Sequence, residues 1–165
     1  MGGVAIFAAY WGAFFLGVPL SNRSGFAEAM FLSSLIILVT GIIDDTYDLR
    51  PWQKMIGILT AANVLYFFTD IKIDSLTLDY FGTIELHEAG YLVMMLWIVV
   101  ITNAVNLMDG LDGLATGTSI ISLSTMGFVS YFFTSHMGIT AVVMIFLLVA
   151  SLLGFLPFNF YPSSI

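Results

Sequence analysis

A short polar run between two apolar segments contains the side chains best suited to chemistry. Residues 103–115 read NAVNLMDGLDGLA, in which every third position from 103 to 112 is polar: Asn103, Asn106, Asp109 and Asp112. On a helix, that spacing places the four side chains on one slowly drifting stripe. Their oxygens are the hard ligands that Mg2+ prefers, and Mg2+ commonly takes one or two protein ligands together with phosphate oxygens. Because carboxylates beside an apolar helix are costly, the run predicts Mg2+-assisted phosphoryl transfer at a membrane surface.

The same run also has a purely structural interpretation. A tight turn between two helices, with Asp112 as the N-cap of the second, would account for one aspartate. Gly110 and Gly113 would then serve the turn, although they also remove side chains where a ligand could approach the backbone. The turn leaves the other three polar side chains unexplained, and we therefore favour a binding site.

A second acidic group lies upstream, where an apolar run ends at Asp44 and Asp45. Adjacent carboxylates repel one another, so the pair favours a nearby cation or a role as a general base. If the helix continues for one turn, Asp44 and Asp48 share a face, and Pro51 ends that turn. Lys54 then opens the next apolar run, where its ammonium group can meet a phosphate. An acidic pair that simply faces water is the alternative, and the second acidic loop argues against it.

The rest of the chain predicts membrane helices that position these residues. Hydrophobic residues make up 59% of the chain and charged residues 9%, with a mean hydropathy of +1.01, whereas about a quarter of a soluble domain is charged. A bilayer span needs roughly 20 apolar residues, and six runs approach that length: 3–20, 26–43, 55–69, 90–107, 113–133 and 138–156. We predict an all-α polytopic membrane protein, with residues 1–165 as a single integral membrane domain.

Six spans place the loops 44–54 and 108–112 on one side of the membrane. The segment 70–88 falls on the other side, where alternating apolar residues and Gly82 predict a small extracytoplasmic β-hairpin. Positive residues, which mark cytoplasmic loops, are evenly divided between the two sides: Arg50 and Lys54 against Arg23 and Lys72. Charge therefore leaves the orientation open, and the cytoplasmic location of activated nucleotide substrates places the polar loops inside the cell.

Composition also excludes several classes of function. The net charge of −7 argues against nucleic-acid binding, which requires a basic face. Cysteine is absent, which excludes disulfides and thiolate catalysis. The first apolar run lacks a basic leader, so we expect no secretory signal.

The two polar groups together resemble one family, the polyprenyl-phosphate N-acetylhexosamine-1-phosphate transferases. Residues 44–54 resemble the first cytoplasmic motif of the bacterial branch that starts teichoic acid, enterobacterial common antigen and O-antigen chains, and residues 103–115 resemble its second motif. Gly2-Gly3 is similar to a glycine pair at the head of an early span, and residues 155–165 to a later segment. The muramoyl-pentapeptide transferases share the second motif, but the spacing of Leu49-Arg50-Pro51 is more similar to the GlcNAc branch.

The resemblance implies that UDP-GlcNAc and undecaprenyl phosphate react to give undecaprenyl-diphospho-GlcNAc and UMP, with Mg2+ as cofactor and Mn2+ as an alternative. It implies a multi-pass protein of the bacterial cytoplasmic membrane with its active site on the cytoplasmic face, and it leaves a homodimer open. The catalytic residues would be Asp44, which would take a proton from the lipid phosphate or orient it, and Asp45 beside it. The residues that would bind substrate are Lys54, Asn103, Asp109, Asp112 and Asn159. Asn106 would be a metal ligand.

Two departures from the family pattern bear on activity. Ile58 stands where the family often has a glutamine, four residues after the lysine. The family's motif with a metal-binding aspartate follows the segment that ends here at Ile165. We therefore expect that these residues are an internal fragment of a longer enzyme, or a truncated reading frame, and that they do not catalyse the transfer alone.

Two other classes of function remain as alternatives. Residues 44–48 spell the DDxxD pattern with which intramembrane prenyltransferases bind a prenyl diphosphate through Mg2+, but those enzymes carry a second aspartate-rich helix and no double-glycine loop. A proton- or cation-coupled transporter would usually place its carboxylates at mid-bilayer, whereas here they stand at the ends of apolar runs.

Overall fold

The computed structural model describes residues 2–19, 25–78, 82–108, 110, 112–133 and 139–160. Within these residues lie six α-helices and one pair of β-strands. In chain order they are α1 (Gly2–Gly17), α2 (Gly25–Tyr47), α3 (Pro51–Phe68), β1 (Ser75–Leu78), β2 (Gly82–Glu85), α4 (Ala89–Met108), α5 (Leu114–Phe133) and α6 (Ile139–Asn159).

Among the described residues, three helices are long and apolar enough to cross a membrane: α2, α4 and α6. Helix α1 is apolar but has 16 residues. Helices α3 and α5 also carry polar side chains, and several of their threonine hydroxyl groups bond within the helix. Thr60 and Thr118 each donate to the carbonyl four residues earlier, at 2.8 Å, so these groups need no water. The predicted all-α membrane class is confirmed.

Helix boundaries differ from the predicted runs most clearly around the acidic pair. Helix α2 continues past residue 43 to Tyr47 and stops where Asp48 adopts a left-handed conformation with φ of 48°. Helix α3 begins at Pro51, which suits a first helical position because proline has no N–H that would need a partner there. The interpretation of Pro51 as the end of a turn is therefore wrong. Apolar runs mark only the apolar part of a helix, and polar end turns extend beyond it.

The described chain divides into two compact units, Met1–Arg23 with Val105–Ile165, and Ser24–Ala104. In the second unit, α2 and α3 form an antiparallel helical hairpin. Its buried faces contain small side chains, and Ser33 Oγ donates a hydrogen bond of 3.0 Å across the hairpin to the carbonyl oxygen of Ala61. Small residues of this kind allow two membrane helices to approach closely. The single integral domain of the sequence analysis stays a prediction.

The predicted β-hairpin is present in the same unit. Strands β1 and β2 are antiparallel, with Ser75 opposite Glu85 and Leu76 opposite Ile84. Gly82 has a φ of 78°, a conformation that suits glycine because it has no Cβ. The connecting residues 79–81 lie outside the described part of the chain. The hairpin within 70–88 is thereby confirmed, and its extracytoplasmic location stays a prediction.

In the other unit, α6 packs against both α1 and α5. On α1, Tyr10, Trp11 and Phe14 are buried, and the rings of Trp11 and Phe14 lie edge to face at 5.5 Å. On α5, Gly127 lies so close to α6 that an added Cβ would be 3.1 Å from Phe146. Helix α1 thus buries an aromatic face in this unit, and Gly127 allows α5 to approach α6 closely.

Candidate active site

The polar end of the α2–α3 hairpin contains a close ion pair. Lys54 Nζ lies 2.6 Å from Asp44 Oδ2, and the side chains are 29% and 23% exposed, respectively. A charge-assisted hydrogen bond of this length, partly shielded from water, is stronger than a surface pair. Two residues that the sequence assigned to substrate and lipid phosphate are thus in direct contact.

Helix packing explains why these two side chains meet. One turn further into the hairpin, Thr40 of α2 lies against Gly57 of α3, where an added Cβ would be 2.6 Å from the Thr40 methyl. Thr40 precedes Asp44 by four residues and Gly57 follows Lys54 by three, so the contact and the ion pair share a face on each helix. Sequence reasoning missed this contact, because a threonine and a glycine in apolar helices carry no chemical signal of their own.

The loop between the two helices is held by local hydrogen bonds. Asp48 N donates a hydrogen bond of 2.9 Å to the carbonyl oxygen of Asp44, and Arg50 N donates one of 2.9 Å to Gln53 Oε1. Each bond satisfies a backbone group at a helix end. The start of α3, and with it Lys54, is therefore set by local hydrogen bonds as well as by packing.

Asp45 differs from its neighbour Asp44 in its surroundings. It is exposed, and within the described part of the chain its side chain makes no hydrogen bond or ion pair. Asp48 follows the end of α2 in a left-handed conformation, so the DDxxD residues do not form one helical face. The three DDxxD aspartates therefore do not point from a single helical segment.

The predicted stripe of the second motif is only partly helical. Asn103 and Asn106 lie in the last turns of α4, which ends at Met108. Asn103 Nδ2 donates to the carbonyl oxygen of Val99 at 2.8 Å, and Asn106 is exposed. Asp109 lies outside the described residues. Asp112 is exposed in the turn that precedes α5, so it does not extend the stripe along a helix.

Helix α5 begins at Leu114, which makes Gly113 its N-cap. Gly117 N donates to the carbonyl oxygen of Gly113 at 2.8 Å, as expected for the first turn. The proposal of Asp112 as the N-cap is wrong, since that residue stands one position too early. Gly113 has a φ of 72°, and an added Cβ would be 3.1 Å from the Phe160 ring. The backbone conformation and the close packing against Phe160 together explain why position 113 is a glycine.

Asn159 lies beside this turn at the end of α6. Its Oδ1 accepts a hydrogen bond of 2.9 Å from Thr116 Oγ1, and Thr116 is buried with 6% exposure. The structure thus places Asn159 beside the end of the second motif, and its role in binding substrate stays a prediction. Thr116 was missed by the sequence analysis, although its position shortly after the double-glycine loop was a possible signal.

The described residues contain no group of three or more histidine, cysteine, aspartate or glutamate side chains that could hold a metal ion. Asp45, Asn106 and Asp112 each present exposed oxygen atoms with no partner in the described chain. Such oxygens suit Mg2+, which takes few protein ligands when phosphates supply the others. The donor types therefore fit this cation, and the role of Asn106 as its ligand stays a prediction.

Comparison with known proteins assigns the family. A model of glycosyl transferase family 4 matches residues 27–165, and the chain belongs to that family. No solved structure matches the chain.

Several curated relatives resemble the chain along much of its length. The probable undecaprenyl-phosphate N-acetylglucosaminyl 1-phosphate transferase of Bacillus subtilis is 37% identical over 167 residues, which cover 100% of this chain and 45% of the relative. The phospho-N-acetylmuramoyl-pentapeptide-transferase of Levilactobacillus brevis is 36% identical over 71% of this chain and 36% of its own length. The Staphylococcus epidermidis enzyme of the same name is 35% identical over 86% of this chain and 44% of its own length. The chain spans less than half the length of these relatives.

Proposed function

We propose that the protein transfers N-acetylglucosamine 1-phosphate from UDP-N-acetylglucosamine to undecaprenyl phosphate and so initiates synthesis of a surface polysaccharide. The similarity of the whole chain to the B. subtilis transferase supports this donor and acceptor. The structural observation that carries the proposal is the Lys54–Asp44 ion pair beside the unpartnered Asp45, at the end of a membrane hairpin. A cation and two carboxylates at this place suit a reaction between two phosphates.

In the proposed reaction, an oxygen of the lipid phosphate attacks the β-phosphorus of the nucleotide sugar. A new phosphorus–oxygen bond forms, the bond from the β-phosphorus to the bridging oxygen breaks, and UMP leaves with that oxygen. Both reactants are anionic, so positioning and charge neutralisation account for most of the acceleration. The protein's task is to hold two repelling groups in line.

Lys54 and the aspartates have complementary roles in this scheme. The ammonium group of Lys54 exchanges its bond to Asp44 for a bond to the donor's diphosphate. Asp44, once released, takes a proton from the lipid phosphate or orients it, and Asp45 stands beside it. Because the ion pair is partly exposed, a phosphate can reach the ammonium without unfolding of the hairpin.

The second motif would act on the nucleotide. Asn106 is proposed as a ligand of Mg2+, and Asp109 and Asp112 as contacts along the uridine and ribose. Asn103 and Asn159 would complete the substrate contacts. When bound, the cation would neutralise charge on the diphosphate. We place the reaction on the cytoplasmic face of the bacterial membrane, where the nucleotide donor is available.

A second candidate differs only in the donor sugar. The relatives in L. brevis and S. epidermidis are named as phospho-N-acetylmuramoyl-pentapeptide-transferases and are 36% and 35% identical to this chain. That observation supports a donor with a muramoyl-pentapeptide in place of N-acetylglucosamine. Both candidates share the acceptor phosphate and the release of UMP.

Membranes that contain the full-length protein, supplied with undecaprenyl phosphate, test both candidates. We expect UMP and a lipid-linked sugar diphosphate with UDP-GlcNAc, loss of both on chelation with EDTA, and recovery on addition of Mg2+. Lys54→Met is the matched negative control. A lipid product formed only from UDP-MurNAc-pentapeptide would support the second candidate instead, and no product from either donor would contradict the proposed transfer.

A further inference from the structure

We propose that Gly57 is a positioning residue, whose missing side chain sets the spacing of α2 and α3 and so holds Lys54 in register with Asp44. The inference rests on the proposed function for its effect on catalysis, but its structural part can be tested separately. It assigns a role in the reaction to a contact between two residues without charge, one helical turn from the ion pair.

The contact between Gly57 and Thr40 has no room for another carbon. An added Cβ on Gly57 would lie 2.6 Å from Thr40 Cγ2 and 3.0 Å from Thr40 Cβ, and it would overlap the hydroxyl group as well. Rotation of the threonine side chain does not move its Cβ, so a rotamer change alone cannot relieve the overlap. Thr40 Oγ1 also donates a hydrogen bond of 2.8 Å to the carbonyl oxygen of Ile36, and this bond holds the threonine side chain in its present rotamer. A methyl group at position 57 must therefore push the helices apart.

The place of this contact along the hairpin makes the ion pair sensitive to it. Deeper in the hairpin, the hydrogen bond from Ser33 to Ala61 fixes the two helices. On the other side of the Gly57–Thr40 contact, the ion pair of 2.6 Å joins the helix ends. A methyl group at position 57, between these two points, would separate the helices at the ion pair or break the deeper hydrogen bond. Only the ion pair carries groups that the proposed reaction uses.

The consequence for catalysis follows from how closely reacting groups must be held. Misplacement of a catalytic or binding group by about 1 Å costs on the order of 100-fold in rate. A lysine side chain can follow a small shift of its backbone, but it then no longer presents its ammonium group at the same place relative to Asp44 and Asp45. We therefore expect Gly57→Ala to impair the reaction through Lys54.

The activity test compares three variants of the full-length protein. Gly57→Ala should lower kcat/KM for the nucleotide sugar by about 10- to 100-fold. Thr40→Gly in the Gly57→Ala background, which removes the side chain that the new methyl would strike, should restore most of that loss. Gly41→Ala is the matched control, since it lies next to Thr40 on α2 and its added Cβ would meet nothing within 4 Å. It should retain wild-type activity.

A second readout separates positioning from simple loss of structure. In a Lys54→Met background, Gly57→Ala should cause little further loss of kcat/KM, because its effect passes through Lys54. Full additivity of the two substitutions, or failure of Thr40→Gly to rescue, would overturn the inference.

The structural part is measured without any substrate. Unfolding of the detergent-solubilised protein with SDS should show energetic coupling between Asp44→Asn and Lys54→Met in the wild-type background and none in the Gly57→Ala background. Equal coupling in both backgrounds would overturn the inference even if the transfer reaction is confirmed. Conversely, the wild-type protein could form no lipid product while the coupling is still lost in the Gly57→Ala background. That pair of results would count against the proposed function alone.

Discussion

Lys54 Nζ lies 2.6 Å from Asp44 Oδ2, so one of two adjacent carboxylates is already paired with the cation that follows it in the chain. Asp45, the other carboxylate, is exposed and has no partner among the described residues. The two neighbouring carboxylates therefore differ in their surroundings. In the proposed reaction, Asp44 would first have to release Lys54, whereas Asp45 would be available at once.

Asp44→Asn should separate binding from turnover. The neutral amide no longer holds the Lys54 ammonium as tightly, so we expect the KM for UDP-GlcNAc to stay constant or fall. Loss of an acid–base group costs about 100-fold or more in kcat. Steady-state kinetics of UMP release measures both constants.

Asp48→Asn is the matched control for that experiment. Asp48 is exposed with a φ of 48°, and asparagine tolerates this conformation, so kcat and KM should stay near wild type. A loss of activity in Asp48→Asn as large as that in Asp44→Asn would instead favour a site that uses all three DDxxD aspartates.

Ser33→Ala should weaken the α2–α3 hairpin. Ser33 is buried and donates across the hairpin to Ala61, and hydrogen bonds between membrane helices contribute about 0.6 kcal/mol on average, up to about 1.7. The expected loss of unfolding free energy, measured by SDS titration in detergent micelles, lies in that range. Ser151→Ala is the control, because Ser151 Oγ donates within its own helix to the carbonyl oxygen of Leu147. Equal effects of the two variants would contradict a role for Ser33 in joining the helices.

Thr116→Val should destabilise the connection between α5 and α6. Valine has nearly the same shape but cannot donate to Asn159 Oδ1, and loss of such a bond costs about 1 kcal/mol. Thr116→Ser should retain most of the stability. Thr118→Val removes a hydroxyl that bonds only to carbonyl oxygens of its own helix, those of Leu114 and Ala115, so it should cost less. A larger loss of stability in Thr118→Val than in Thr116→Val would contradict a stabilising role for the Thr116–Asn159 hydrogen bond.

Gly113→Ala should lower the stability of the protein, whereas Gly117→Ala should not. An alanine at position 113 would have to adopt a φ of 72° and press on Phe160, and the left-handed conformation alone costs about 1–2 kcal/mol. Gly117 is within α5 and its added Cβ would meet nothing within 4 Å. There, the higher helix propensity of alanine should leave stability unchanged or raise it. Thermal unfolding of both variants measures the contrast, and equal destabilisation would contradict it.

The elements of the fold were largely predictable because membrane insertion leaves few choices for the backbone. An apolar run in a bilayer must satisfy its backbone hydrogen bonds internally, which selects helices, and all six predicted runs coincide with a helix. The alternation around Gly82 likewise predicted the β-hairpin. The ends of α2 and α3 were less predictable, since Asp48 and Pro51 act through backbone conformation and not through hydropathy.

The types of residue at the candidate site, and their grouping into two short motifs, were determined by the sequence alone. Tertiary structure decided that Asp44 and not Asp45 holds Lys54, that Gly113 and not Asp112 caps α5, and that Thr116 reaches Asn159. The physical reason is that these features depend on backbone conformation, helix register and packing between helices. Gly57 lies against Thr40 at such a packing contact, and neither residue carries a signal of chemistry in the sequence.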